Sequence, residues 1–287
     1  MRSALRPLGD VVATDHAALD LADADAIRRV IRAQRPDVIV NAAAYTQVDA
    51  AETEPDLAMR VNGIAPGIIA EEAKRSHCAI VHYSTDYVFS GSGTRPYLED
   101  DEPDPINVYG LTKLAGENAI REVGAPYLII RTSWVFDARG KNFLNTILRL
   151  ASEREELRVV DDQIGAPTWS RVVADATARI LARMAPRTDA IIDGIADVSG
   201  IYHVCCENPT SRFGFAKEIL DKYRRGAENA PALRANRVIP ISSAEYPTAA
   251  KRPRYSVLSS RKIANAFGIV IPSWRDQLEL VLEELRS

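Results

Sequence analysis

Short apolar runs alternate with helical patterns through the first half of the chain, and that alternation leaves few architectures open. Asp37-Val38-Ile39-Val40-Asn41 reads as a buried strand, as do residues 78–83 and 126–131, and Val11-Val12-Ala13-Thr14 reads as a shorter one. Between them, residues 23–34 carry Ile27, Val30 and Ile31 at helical spacing before Pro36 stops the helix. A helical stretch is expected over 54–74, broken near Gly63 and Pro66, with further helices over about 108–123 and 142–153. Strands separated by helices of this length imply right-handed βαβ units. The expected fold is therefore α/β, a doubly wound parallel sheet of the Rossmann type. After residue 155 the pattern loosens. Strands are expected at 157–160 and 201–206, helices at 170–184 and 211–223, and a last amphipathic helix over 274–285 behind the cap Ser273. Proline-containing loops separate these at 161–168 and 246–254. The second half reads as a smaller, partly interleaved region.

Composition narrows the function classes. The 287 residues are 46% hydrophobic and 26% charged, an ordinary globular balance that excludes a disordered or fibrous chain. Lys and Arg total 36 against 39 Asp and Glu, so nothing offers an electrostatic footprint for nucleic acid or an anionic membrane. No window approaches the roughly 18 apolar residues of a membrane span, and residues 1–10 lack the apolar core of a signal peptide. A cytoplasmic protein is expected. Three cysteines, two of them adjacent as Cys205-Cys206, make no disulfide framework and no C-x-x-C site, and read as small core residues. Glycine is scarce where a phosphate-binding fold uses it most: of 15 in all, the first is Gly9 and no glycine-rich turn follows it.

The chemical signal is concentrated within about fifty residues. His82-Tyr83-Ser84-Thr85-Asp86-Tyr87-Val88-Phe89 sits where a buried parallel strand ends, the edge at which open α/β sheets bind ligands. Asn107-Val108-Tyr109-Gly110-Leu111-Thr112-Lys113 then opens a helix, with Tyr109 and Lys113 four apart on one face. Tyr-x-x-x-Lys alone is a weak signal; paired with Thr85 at the strand end it is far more specific. A free phenol titrates near 10 and needs help to exchange a proton at neutral pH. An ammonium roughly 5 Å away, at an effective dielectric near 20, favours phenolate by about 3 kcal/mol. The expected roles are proton transfer by Tyr109, with Lys113 as activator and Thr85 holding the same substrate oxygen. Such a trio suits reduction of a ketone by hydride from a nicotinamide.

Further segments extend the pattern over nearly the whole chain. They are Arg35-Pro36-Asp37-Val38-Ile39-Val40-Asn41-Ala42-Ala43-Ala44-Tyr45-Thr46, Tyr109-Gly110-Leu111-Thr112-Lys113-Leu114-Ala115-Gly116-Glu117 and Arg131-Thr132-Ser133-Trp134-Val135. Asp161-Asp162-Gln163-Ile164-Gly165-Ala166-Pro167-Thr168 and Arg252-Pro253-Arg254-Tyr255-Ser256 complete the set. In these residues the chain resembles the extended short-chain dehydrogenase/reductase superfamily, and within it the dTDP-4-dehydrorhamnose reductase family. The Asp-Asp-Gln-x-Gly-x-Pro-Thr run separates that family from most sugar-nucleotide epimerases and dehydratases.

The resemblance implies a division into an NAD(P)-binding domain over residues 1–155 and a substrate-binding region over 156–287. It implies Tyr109 as proton donor to the C4 oxygen of a dTDP-keto-sugar, with Lys113 as its partner and Thr85 as the residue that tunes and positions it. Thr85, Asp86 and Trp134 would contact substrate. Asp15, Asp20, Leu21, Ala44, Tyr45, Thr46 and Tyr83, with Tyr109 and Lys113, would line the site of NADPH or NADH, between which Asp15-His16 does not choose. On residues alone, Tyr83 and Trp134 could equally be core aromatics, and Asp20 a loop or cap carboxylate. Some members of the family hold Mg2+ between subunits through helix carboxylates. Glu284 matches one such ligand, but Glu283-Glu284 reads more simply as a solvated face, so no metal ligand is assigned. A homodimer is the assembly considered.

One departure stands out. Family members begin with a strand and a glycine-rich turn whose amides hold the cofactor pyrophosphate, and nothing of that kind precedes Asp15. The expectation is that about fifteen residues belong upstream, through a misassigned start; the other reading is a real truncation with poor cofactor affinity. A non-catalytic relative of this fold, of the kind represented by the regulatory β subunit of methionine adenosyltransferase, is the alternative function. A sugar-nucleotide epimerase or other reductase is a third.

Overall fold

The computed structural model describes residues 1–184, 191–226 and 233–286. Six strands of four residues or more run in chain order among them: β1 (Val38–Asn41), β2 (Ala79–Thr85), β3 (Tyr127–Thr132), β4 (Glu156–Val160), β5 (Gly200–His203) and β6 (Arg237–Ile241). The central sheet has the order β1-β2-β3-β5, and every pairing in it is parallel. Val38 faces Ala79, Ile80 faces Tyr127 and Leu128 faces Gly200 across the ladders. β4 and β6 form a second, two-stranded parallel sheet.

Alternation along β2 and β3 explains why both faces of the sheet are covered. Ile80 and Ile129 project to one side, where they meet Ile27, Ile31, Ile68, Ile69 and Ile120 from the helices Ala24–Gln34, Ala65–Arg75 and Val108–Val123. Ala79, Val81, Leu128 and Ile130 project to the other, against Leu144, Ile180, Phe215, Trp274 and Leu278. Those come from the helices Phe143–Glu153, Ser170–Met184, Arg212–Arg225 and Trp274–Arg286. Burying each large aliphatic side chain contributes about 1.5–3 kcal/mol, so two apolar layers hold the sheet from both sides. This is the doubly wound α/β arrangement that the sequence pattern predicts. No described helix is long and apolar enough to cross a membrane.

Capping residues set the helix limits closely. Asp23 accepts hydrogen bonds from the amides of Asp25 and Ala26, and Asn107 and Asn142 do the same for Gly110 and Asn145. The helical stretch from Pro55 to Arg75 is not broken as predicted. Pro66 has no N–H to give to the preceding turn, and the backbone widens to a π turn over Arg60–Ile64 instead.

Three strand expectations need correction. Val11–Thr14 forms no strand; Val12 is 65% exposed and no neighbouring strand offers it a ladder. An isolated extended segment gains no inter-strand hydrogen bonds and does not persist as a strand. β1 lies at the free edge of the sheet, so Val38, Ile39 and Val40 are half-buried although their run reads as a fully buried strand. β5 stops at His203, short of the predicted 206, while Cys205 and Cys206 continue into the core. The helices Ile191–Asp197 and Arg261–Phe267 and the strand β6 escaped prediction altogether.

Candidate active site

The site lies at the carboxyl ends of β2 and β3, where the helix Val108–Val123 begins. Thr85 ends β2, and its hydroxyl accepts from the Tyr87 amide at 3.2 Å while donating to Asp86 Oδ1 at 3.1 Å. The helix reaches this turn because residue 110 is glycine: a Cβ there would stand 2.1 Å from the Tyr87 carbonyl oxygen. Asn107 caps the helix and also donates to the Lys251 carbonyl at 2.8 Å, tying its start to the C-terminal half. Tyr109 is thereby set edge-on to Tyr87, with ring centroids 5.5 Å apart.

Burial pushes the Tyr109 phenol well above its usual range, and the Thr85 hydroxyl beside it acts in the opposite direction. The phenol therefore holds its proton at neutral pH, the state a proton donor needs. Burial thus outweighs the lowering expected from a nearby ammonium. Lys113 Nζ donates to the Tyr83 carbonyl at 2.5 Å and meets His82 Nε2 at 3.2 Å. Lys113 is 1% exposed, and burial brings its amine down to about 8. One helical turn further along the same face, Glu117 takes the Arg131 guanidinium of β3 through two hydrogen bonds, at 2.9 and 2.6 Å. Tyr109, Lys113 and Glu117 thus form one polar stripe, set against the carboxyl halves of β2 and β3.

Asp86 adjoins this stripe. It is buried, which raises its carboxyl to about 6 against the pull of the Ser256 and Thr85 hydroxyls and the Arg212 guanidinium. Arg212 also lies over the Trp134 indole, 3.5 Å from the ring centroid. Trp134 sits at φ 45° and packs flat on Gly165, where a Cβ would come within 2.3 Å of the ring. That contact accounts for the glycine in the Asp161–Thr168 run. Arg252 pairs with both oxygens of Asp49, at 2.7 and 2.6 Å, linking the second prolyl loop to the first half of the chain. Thr85, Asp86, Trp134 and Tyr109 are therefore brought together with Ser256 and Arg212.

The remaining expected residues divide. Ala44, Tyr45 and Thr46 follow β1 at the same edge of the sheet, and Asn62 clamps the Tyr45 backbone from both sides at 2.9 and 3.0 Å. Tyr83 offers the site only its carbonyl; its hydroxyl shares a 2.6 Å hydrogen bond with Thr177 in the opposite layer. Asp15 and Asp20 spend their carboxylates on local turns, accepting from the amides of Ala18 and Ala22, while Leu21 packs beside the helix Ala24–Gln34. Glu284 pairs with Arg171 at 2.6 Å. Among the described residues, no group of three or more His, Cys, Asp and Glu side chains could hold a metal ion.

Several residues of the site were not singled out from sequence. Asn41 and His82 carry no periodic signal distinguishing them from a strand's other residues, Asn62 lies inside a helix, and Arg212 arrives from more than a hundred residues beyond Tyr109. Ser84 Oγ and Thr132 Oγ1, at the ends of β2 and β3, are buried without a hydrogen-bond partner among the described residues. Unmet polar atoms at this edge suit a polar ligand.

Known proteins resemble this chain over nearly its full length. The family model described as RmlD substrate binding domain matches residues 1–287. A dTDP-4-dehydrorhamnose reductase from Burkholderia thailandensis is 46% identical over 283 residues, covering 99% of this chain and 93% of the relative. The crystal structure of a dTDP-4-dehydrorhamnose reductase from Bacillus anthracis in complex with NADP superposes with a TM-score of 0.84 at 35% identity, covering 99% of this chain and 93% of that one. A dTDP-4-dehydrorhamnose reductase ortholog from Clostridium acetobutylicum gives 0.85 at 32% identity, with coverage of 100% and 95%.

Proposed function

The chain belongs to the RmlD substrate binding domain family, and from that premise we propose that it reduces the C4 ketone of dTDP-4-dehydro-β-L-rhamnose to dTDP-β-L-rhamnose. The reaction serves dTDP-L-rhamnose synthesis for surface polysaccharide. The observation that carries this reading is the strand-end cluster of Thr85 and Tyr109 above a buried Lys113. A nicotinamide cofactor supplies the hydride. NADPH is the donor we propose over NADH, in line with the NADP-bound relative from Bacillus anthracis.

Tyr109 gives its proton to the C4 oxygen as the ketone becomes an alcohol. Burial keeps the phenol protonated until then, and Thr85 orients both the phenol and the accepting oxygen. Lys113 would hold cofactor hydroxyls with the hydrogen left after Tyr83 and His82 are served. Ala44, Tyr45 and Thr46 would line the nicotinamide half of that site, and the unmet hydroxyls of Ser84 and Thr132 fit a polar ligand there. Asp15, Asp20 and Leu21 would serve the adenosine half. Among the described residues no glycine-rich turn leads from a strand of the central sheet directly into a helix N-terminus, as a phosphate cradle requires. Trp134, Asp86 and Thr85 would contact the sugar, within a substrate region over 156–287 partly threaded into the domain over 1–155. A homodimer in the cytoplasm, needing no Mg2+, completes the proposal.

Oxidation of NADPH followed by absorbance on addition of the keto-sugar tests it. The protein is expected to oxidise NADPH only when the keto-sugar is present. Tyr109→Phe should lower kcat about 1000-fold while leaving keto-sugar binding nearly intact. Turnover at the unsubstituted rate in that variant would remove Tyr109 from its role, and no oxidation by the unsubstituted protein would remove the activity.

A further inference from the structure

Lysine is almost never buried without a partner, and a carboxylate is the usual one. Lys113 is buried, yet the nearest acid on its own helix face, Glu117, has both oxygens committed to Arg131. The groups in hydrogen-bond contact with Lys113 Nζ are instead the Tyr83 carbonyl and His82 Nε2. His82 is 1% exposed, and its other ring nitrogen, Nδ1, meets the side-chain amide of Asn41 at 3.1 Å. Amide, imidazole and amine thus form one chain running from β1 through β2 to the helix of Tyr109.

We propose that His82, anchored by Asn41, is a positioning residue that holds Lys113 beneath the site and supports its ammonium form. The proposal deepens the reductase reading above and rests on it for its kinetic consequence. A neutral imidazole has one N–H and one lone pair. When Lys113 is charged, Nε2 must accept, so Nδ1 carries the proton and Asn41 turns its oxygen toward it. When Lys113 is neutral, Asn41 presents its NH2 group to Nδ1, the orientation seen here, and Nε2–H donates to the amine. Both states are satisfied, with a half-turn of the Asn41 amide between them.

Removing the imidazole is not neutral between those states. The charged form loses a charge-assisted hydrogen bond inside a dry site, and the amine loses only an ordinary one. The charged and titratable groups around this position are Tyr109, Lys113 and Glu117 from the helix, Arg131 from β3 and His82 itself; β1 contributes the uncharged Asn41. Loss of His82 therefore lowers the amine further. A histidine that merely filled the core would leave the titration where it was.

The test follows the lysine Cε signals by NMR in the cofactor-free protein, with Lys113→Arg identifying the resonance. Lys113 is expected to titrate near 8 in the unsubstituted chain. In His82→Leu it should titrate about one unit lower, and in His82→Gln, whose amide oxygen can accept, at least half of that shift should be recovered. The alkaline limb of kcat should move down in pH by the same amount. An unmoved or raised titration in folded His82→Leu overturns the proposal. Should that variant not fold, Asn41→Leu keeps the imidazole without its anchor and should lower the titration by about half a unit; no shift there also overturns it. Failure of the reductase reading is separable: the unsubstituted chain would then oxidise no NADPH with the keto-sugar, whatever His82 does to the titration.

Discussion

Two edges of the same sheet are built to different standards. Where β2 and β3 meet the helix Val108–Val123, Tyr109, Lys113 and Glu117 are packed against His82, Thr85 and Arg131, and the charged groups among them have hydrogen-bond partners. At the free edge of the sheet, β1 shows an open ladder, and Val11–Thr14 forms no strand, with Val12 exposed. On the proposed function, the difference separates the proton-transfer site from the nucleotide grip. Proton transfer needs a dry, preorganised group, which the first edge supplies. The second edge carries apolar residues with little to bury against.

Substitutions at the two edges should therefore differ most in stability. Glu117→Ala leaves the Arg131 guanidinium buried beside Phe89 without its carboxylate, and should cost about 3–5 kcal/mol in denaturant unfolding. A cost below about 1 kcal/mol would mean that water reaches Arg131 and that this edge is not dry. Val12→Ser should fall within about 0.5 kcal/mol, since the side chain has little to lose. A loss above about 1 kcal/mol would show Val12 packed against a partner and erase the contrast.

Much of the fold was legible because local chemistry and global packing agree. Asp23, Asn107 and Asn142 mark helix starts, Gly124 ends the Tyr109 helix in the left-handed conformation, and the residues behind them carry the right period. Val11–Thr14 misled because β-branched composition signals a strand only where a neighbour supplies the ladder. β6 escaped because Pro240 breaks its short apolar run, and among the described residues β4 alone pairs with it. In the site, Tyr109, Lys113 and Thr85 were readable as a spaced trio. The disposition of Lys113 was not, because spacing places it on the face of Tyr109 without saying which acceptor it will find. His82 looked like one more residue of a buried strand, and only the pairing of β1 with β2 puts Asn41 beside it.

The claim on which the rest depends is direct hydride delivery to C4 of the keto-sugar with a proton from Tyr109. Turnover of dTDP-4-dehydro-β-L-rhamnose with NADPH deuterated at the transferred position, followed by mass and NMR analysis of the sugar, tests it most directly. One deuterium at C4 of dTDP-β-L-rhamnose is the result expected. Unlabelled product, or a ketone recovered as an epimer with its C4 oxygen unreduced, would contradict it.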